Sequence, residues 1–209
     1  TARAALEWID RYGDRNGDGF VEYRRRAPTG LANQGWKDSE DAICFADGSP
    51  SALPRATCEL QGYAYDAKTR MARIAREVWH DDALADRLET GAAALKKRFN
   101  EEYWLPERNC FALAIDGKGR KVDALASNLG HLLWCGIVDD ERATSVVEHL
   151  MSPAMFTGWG VRTLADTEVS YNPLGYHLGT VWPHDNSIIA AGLRRYGFAE
   201  AASQIAVSM

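Results

Sequence analysis

Leu60 to Phe99 reads LQGYAYDAKTRMARIAREVWHDDALADRLETGAAALKKRF, and its two halves carry separate helical stripes. In the first half Leu60, Tyr63, Ala64, Ala67, Met71, Ile74, Ala75 and Val78 recur at the spacing of one helix face. In the second, from about Ala83, Leu84, Leu88, Leu95 and Phe99 do the same. Only a short joint separates them, so the stretch predicts two long antiparallel helices.

Upstream, Ala5, Trp8, Ile9 and Tyr12 predict a helix over 1–12. Asp14-Arg15-Asn16-Gly17-Asp18-Gly19 then turns the chain into a short predicted strand, Phe20 to Tyr23. That turn resembles the first half of a calcium loop, but the twelfth position, which needs a bidentate acid, is Arg25. Turn chemistry explains it better. Ile43-Cys44-Phe45 reads as a short extended piece. Downstream, Phe111, Leu113 and Ile115 alternate, Asp116 to Gly119 turns, and Lys121-Val122 returns as a β-hairpin. A second helical pair is expected at about 124–136 and 140–151, and a third from about Asp185 to Tyr196 and from Phe198 onward. A long Gly-, Trp- and Tyr-rich connection, Ser152 to Pro183, precedes the third pair.

Seven helices whose joints alternate between short and long do not suit a simple bundle, where joints are short throughout. They suit an all-α toroid of helical hairpins, with short β-hairpin excursions in loops that collect at one end and build a site. Both ends read as cut, because the chain enters a helix directly after Thr1 and stops at Met209 within an apolar pattern. Residues 1–209 are therefore expected to be a single partial domain, poorly stable or self-associating on its own.

Composition is that of an ordinary globular chain, 46% hydrophobic with net charge −5. The acidic balance argues against nucleic acid or a membrane surface as partner, and Arg24-Arg25-Arg26 is too short a basic run to reverse it. No apolar stretch approaches the ~20 residues of a membrane span. Cys44, Cys58, Cys110 and Cys135 are scattered, without zinc spacing, and are expected as buried reduced thiols, which fits a cytoplasmic protein.

Two stretches carry chemistry. Asn33-Gln34-Gly35-Trp36-Lys37-Asp38-Ser39-Glu40-Asp41 packs three carboxylates, an indole and an ammonium into nine residues. An acid beside an aromatic wall suits gripping a sugar and protonating a glycosidic oxygen. The connection 157–187 holds Trp159, Arg162, Tyr171, Tyr176, His177, Trp182, His184, Asp185 and Asn186. Sugar sites mix such aromatic plates with hydrogen-bonding side chains. Asp185 or Asn186 also reads as a helix N-cap, Ser127 reads as another, and Asn128 and His131 follow within reach of a site. Arg162 could equally be a structural ion-pair partner. His177, His184 and Asp185 lack a metal-ligand pattern, so neither metal nor cofactor is expected. No P-loop, dinucleotide fingerprint or Gly-x-Ser-x-Gly elbow occurs.

The first stretch, together with Tyr171-Asn172-Pro173, Tyr176-His177, Val181-Trp182-Pro183-His184-Asp185-Asn186 and Ala191-Gly192-Leu193-Arg194-Arg195-Tyr196-Gly197, resembles bacterial amylo-α-1,6-glucosidase-type proteins. These are relatives of the glucosidase domain of glycogen-debranching enzymes. Gly19 to Tyr23 and Ser127 to Trp134 fit as well. The resemblance implies an (α/α)6 toroid, here incomplete, and an inverting hydrolase of α-glucans or α-glucosides. It makes the Asp of a Gly-Trp-x-Asp motif, Asp38, the general acid. It places the general base, a Glu in a Leu-Pro-Glu-Leu-Phe type motif, beyond Met209 in the remainder of the barrel. Gln34, Trp36, Lys37, Glu40, Asn128, His131, Arg162, Tyr176, His177, Trp182, His184 and Asp185 are then the expected sugar-binding residues. Trp36, by desolvation, and Glu40 with Asp41, by repulsion, would raise the Asp38 pKa, and Lys37 would oppose them. The rival readings are a sugar epimerase using His177 and His184, a non-catalytic sugar-binding protein, and a phosphorylase with Arg162 on phosphate.

Overall fold

A computed structural model describes residues 1–209 as seven helices and five short strands. After α1 (Ala2–Tyr12), the helices form three successive hairpins. They are α2 (Cys58–Glu77) with α3 (Asp82–Glu102), α4 (Asn128–Cys135) with α5 (Asp140–Leu150), and α6 (Pro183–Arg195) with α7 (Ala199–Ser208). Helix α2 also packs on α4, and α4 on α6, so the first helix of each hairpin forms a continuous inner row. Their N-terminal ends are where the long connections 13–57, 103–127 and 151–182 arrive.

The row is close because two glycines sit at its contacts. A Cβ on Gly192 of α6 would lie 2.6 Å from the Trp134 nitrogen, and one on Gly130 of α4 would lie 2.4 Å from Ile189 Cγ1. Around this contact the main core gathers Phe99, Phe111, Leu132, Leu133, Val146, Leu150, Ile189 and Leu193. Phe99 stacks on Tyr103 and on Phe111, ring centroids 4.6 and 5.1 Å apart. Each such pair contributes roughly 0.5–1.5 kcal/mol beyond its burial. A smaller core of Leu6, Ala72, Ala75, Leu84 and Leu88 seats α1 on the first hairpin. The side chain of Asp81 caps α3 by accepting from the Leu84 nitrogen.

Strands β1 (Arg55–Thr57), β4 (Ala114–Asp116) and β5 (Lys121–Val122) make an antiparallel sheet in that order. Strands β2 (Trp104–Leu105) and β3 (Cys110–Phe111) form a separate ribbon. The predicted hairpin through Asp116–Gly119 is thus present, with β1 added as an edge.

Several expectations need correction. Ile74 and Val78 of the α2 stripe are exposed, whereas Glu59, Gln61 and Asp66 are buried. The helix lies between α3, α4 and the loops over its first turn, so polar residues close its other face. Gln61, for example, exchanges both hydrogen bonds with the Val21 backbone. Phe20 to Tyr23 is not a strand: Tyr23 makes one bridge to Arg55, and Phe20 is a core ring. The second pair begins at Asn128 rather than about 124, because Ala126 bridges Leu164 in extended form. Helix α6 starts at Pro183, with Trp182 in the N-cap position, so Asp185 and Asn186 lie inside the first turn and neither is the cap. Ser127 precedes α4 without making a side-chain cap bond. All four cysteines are free and buried, and no helix is long and apolar enough to cross a membrane.

Candidate active site

The first turns of α2, α4 and α6 each turn a polar side chain inward: Glu59, then Asn128 and His131, then Asp185 and Asn186. All five are fully buried. Acidic groups suit helix N-termini, where unpaired N–H groups give a positive field. The loop 33–41 closes over this floor and is held at four points. Asn33 accepts from the Tyr23 hydroxyl at 2.9 Å and from Arg55, and its amide donates to the Ser39 carbonyl at 2.6 Å. Gly35 sits so close to α2 that a Cβ there would be 3.0 Å from Glu59 Oε1. Lys37 turns inward and donates to the Thr163 carbonyl at 2.6 Å. Ser39 Oγ pairs with His177 Nδ1 at 2.9 Å.

Folded this way, the loop presents Trp36 to a cluster of aromatic partners. Its indole stacks on His131, 5.5 Å between centroids and 11° between planes. His177, Trp182 and His184 stand edge-on to it at 5.4, 6.5 and 5.1 Å. Tyr176 closes on His177 and Trp182 at 4.2 and 5.0 Å. The Trp182 ring is itself fixed by donating to the Tyr176 carbonyl at 2.9 Å. Asp38 lies at this cage with 43% of its side chain exposed, Oδ1 4.0 Å from His177 Nδ1.

Below the cage runs a chain of three groups, Tyr63 partly exposed and His131 and Asp185 fully buried. Tyr63 Oη meets His131 Nδ1, and His131 Nε2 meets Asp185 Oδ1 at 2.7 Å. Asp185 is acceptor-only when ionised, so the proton sits on Nε2, and Nδ1 accepts from the phenol. Burial, then Glu59, push the Tyr63 pKa far up, which keeps the phenol a donor. Burial lowers the Lys37 pKa to about 8, with Asp185 and Glu59 pulling the other way. Burial, followed by Lys37, also lowers that of His177, against Asp38, Asp41 and Asp185. At neutral pH the arrangement therefore pairs a charged Lys37 with a neutral His177. Trp36 Nε1, Glu59 Oε1, both side-chain polar atoms of Asn128 and Asp185 Oδ2 are buried without a hydrogen-bond partner.

Of the residues expected at a sugar site, Trp36, Asp38, Tyr176, His177, Trp182 and His184 meet here. Lys37, Asn128, His131 and Asp185 come to the same place but lie at 0–1% exposure. They support the cage from beneath, and His177, at 2% exposure, is buried as they are. Three others stand apart. Arg162 pairs with Asp166 and lies over the Tyr171 ring at 5.5 Å, the structural role. Glu40 is exposed, tied into the loop through its backbone carbonyl, and Gln34 lines a separate cavity beside α1. Asn186 exchanges hydrogen bonds with both backbone groups of Val161 and so pins the 156–162 turn to α6. No group of three or more His, Cys, Asp or Glu side chains is placed to hold a metal ion.

Glu59, Tyr63 and Thr163 escaped sequence reasoning. Tyr63 belonged to an amphipathic stripe that already explained it, Glu59 lay just before that stripe and outside any motif, and Thr163 acts through its carbonyl, which no motif records.

A family model described as the mannosylglycerate hydrolase MGH1-like glycoside hydrolase domain matches residues 49–209, which leaves the 33–41 loop outside the match. Among solved structures, the chain resembles the GH63 mannosylglycerate hydrolase from Thermus thermophilus in complex with glucose, at TM-score 0.62 and 19% identity. That match covers 74% of this chain and 38% of the other. Neutral trehalase Nth1 from Saccharomyces cerevisiae matches at TM-score 0.65 and 17% identity, over 82% of this chain and 33% of that one. A sialidase matches at 0.73 and 12%, over 93% of this chain and 17% of its own. None of the curated proteins matches. At these identities the likeness concerns the fold, and the chain spans only 38% or less of the length of these structures.

Proposed function

The chain belongs to the MGH1-like glycoside hydrolase domain family, and from that premise we propose that it supplies the proton-donor half of an inverting glycosidase site. The observation that carries this is the setting of Asp38, a half-exposed carboxyl at an aromatic cage. Asp185 and Glu59 are fully buried beneath that cage. A group that must reach a glycosidic oxygen has to face the substrate, and those two do not.

In this reading the faces of Trp36 and Trp182 hold the sugar by its C–H surfaces, and Asp38 protonates the leaving oxygen. The Tyr63–His131–Asp185 chain keeps the Trp36 floor in place. An inverting reaction needs a second carboxyl roughly 6.5–9.5 Å from the first, with a water between it and the anomeric carbon. That base is a Glu supplied by the rest of the polypeptide, and the three hairpins are part of an (α/α)6 toroid, residues 1–209 forming one portion of it.

The substrate class we propose is an α-glucoside, with α-1,6-linked branch glucose as the preferred form. Motif likeness to amylo-α-1,6-glucosidases supports it, through Gly35-Trp36-Lys37-Asp38 and Trp182-Pro183-His184-Asp185. Incubation of the intact protein with isomaltotriose, maltotriose, trehalose and mannosylglycerate, followed by proton NMR of the anomeric region, tests both parts. Cleavage of isomaltotriose with β-glucose appearing first is expected. Release of α-glucose first would overturn inversion, and cleavage of mannosylglycerate alone would overturn the gluco assignment.

A further inference from the structure

A cavity of about 810 Å³ opens between the end of α1, the segment 21–26 and the start of the 33–41 loop. The aromatic cage does not use it, and Arg24 to Arg26, an isolated basic run in the sequence, contributes two of its walls.

Its lining combines three kinds of group. Trp8 and Tyr12 form an aromatic pair, ring centroids 5.9 Å apart, and are 61% and 44% exposed. Together they give the cavity an exposed aromatic wall. The guanidiniums of Arg15, Arg24 and Arg26 have no carboxylate within ion-pair distance. Glu22 is the third kind, 9% exposed, with its Oε1 buried and without a hydrogen-bond partner. A buried polar atom left unpaired costs about 1–3 kcal/mol, so an unpaired acceptor in a cavity wall points to a missing donor.

We propose that this cavity is a second carbohydrate site, one that takes a sugar bearing a carboxylate or a phosphate. The indole and phenol receive the C–H face of the ring. Glu22 and Gln34 bind hydroxyls, and the arginines bind the anionic group through paired N–H donors. Three arginines and one glutamate line the cavity, with Asp14 and Asp18 close enough to act on Glu22 from outside the lining, and this balance favours an anionic sugar over a neutral one. Burial, and after it the charge of Asp18, raise the Glu22 pKa. Gln34 stands two residues from Trp36, so the occupant touches the loop that carries Asp38 without entering the cage.

Titration calorimetry of the intact protein at low salt with glucose 6-phosphate, glucuronate, glucose and inorganic phosphate tests this. One of the two anionic sugars should bind at least ~10-fold more tightly than glucose and than phosphate, about the effect of one charge-assisted contact. Whichever binds better identifies phosphate or carboxylate as the recognised group. Arg24→Gln with Arg26→Gln, both exposed positions, should erase the advantage over glucose, and Trp8→Ala should weaken the anionic sugar. Equal binding of glucose and the anionic sugars would overturn the proposal, as would an advantage that survives the double variant. Asp38→Asn should leave this binding unchanged, so failure of the hydrolase assignment and failure of the second site are read separately.

Discussion

Lys37 keeps a charge in a buried place. Its side chain is 1% exposed, and the ammonium reaches one carbonyl, that of Thr163. Isolated burial of an ammonium is costly, and what offsets it here is the field of Asp185 and Glu59. The group is charged at pH 7 and discharges through about pH 8, whereas in the unfolded chain it titrates near ~10.4. Between those values the unfolded state binds more protons, so this contribution to stability rises with pH. Activity is expected to run the opposite way, because discharge removes the cation that balances two buried acids under the Asp38 loop. The pH profile of kcat should fall above about 8, and Lys37→Met should lower kcat by ~10-fold, about 1.4 kcal/mol of barrier, and abolish that alkaline limb. An unchanged limb in the variant would remove Lys37 from this role. Sequence placed Lys37 in the site's neighbourhood but expected it against the sugar. Its inward turn depends on a carbonyl 126 residues away, which no local pattern encodes.

Among the elements, the inner row depends on how closely α4 and α6 can approach. Gly192 meets backbone on α4, the Trp134 nitrogen and the Gly130 carbonyl, and backbone cannot step aside as a flexible side chain can. Gly192→Ala should therefore cost ~1–3 kcal/mol by overpacking. A urea melt would show this as a lower midpoint with an unchanged slope. A midpoint within error of the parent would mean that the helices sit further apart than described. The hairpin α2/α3 was legible because Leu84, Leu88, Leu95 and Phe99 are buried as their spacing requires. Elements set by distant partners were not. Strand β1 is three residues without alternation and exists because β4 pairs with it. Helix α4 starts late because Ala126 is taken by Leu164. The α2 stripe misleads for a related reason: Ile74 and Val78 are as apolar as core residues, yet they lie on the part of the helix that faces solvent.

At the scale of the molecule, alternation of short and long joints was the readable signal, and it placed the loops at one end of the helices. Three long connections reach the N-terminal ends of α2, α4 and α6, and the cage forms where 33–41 and 176–184 meet over those ends. Which residues would congregate was legible from the density of Trp, His and Asp in two stretches. Which of them would face outward was not, since that depends on the helices beneath. Exposure separates Asp38 from Asp185 and Glu59, and on it rests the assignment of the proton donor. The direct measurement is steady-state hydrolysis of isomaltotriose by the intact protein and its Asp38→Asn variant, with sugar affinity read in parallel by calorimetry. Loss of the general acid is expected to reduce kcat by ~10²–10⁴-fold while the dissociation constant stays within a few-fold. Hydrolysis by Asp38→Asn at near the parental rate would contradict the assignment.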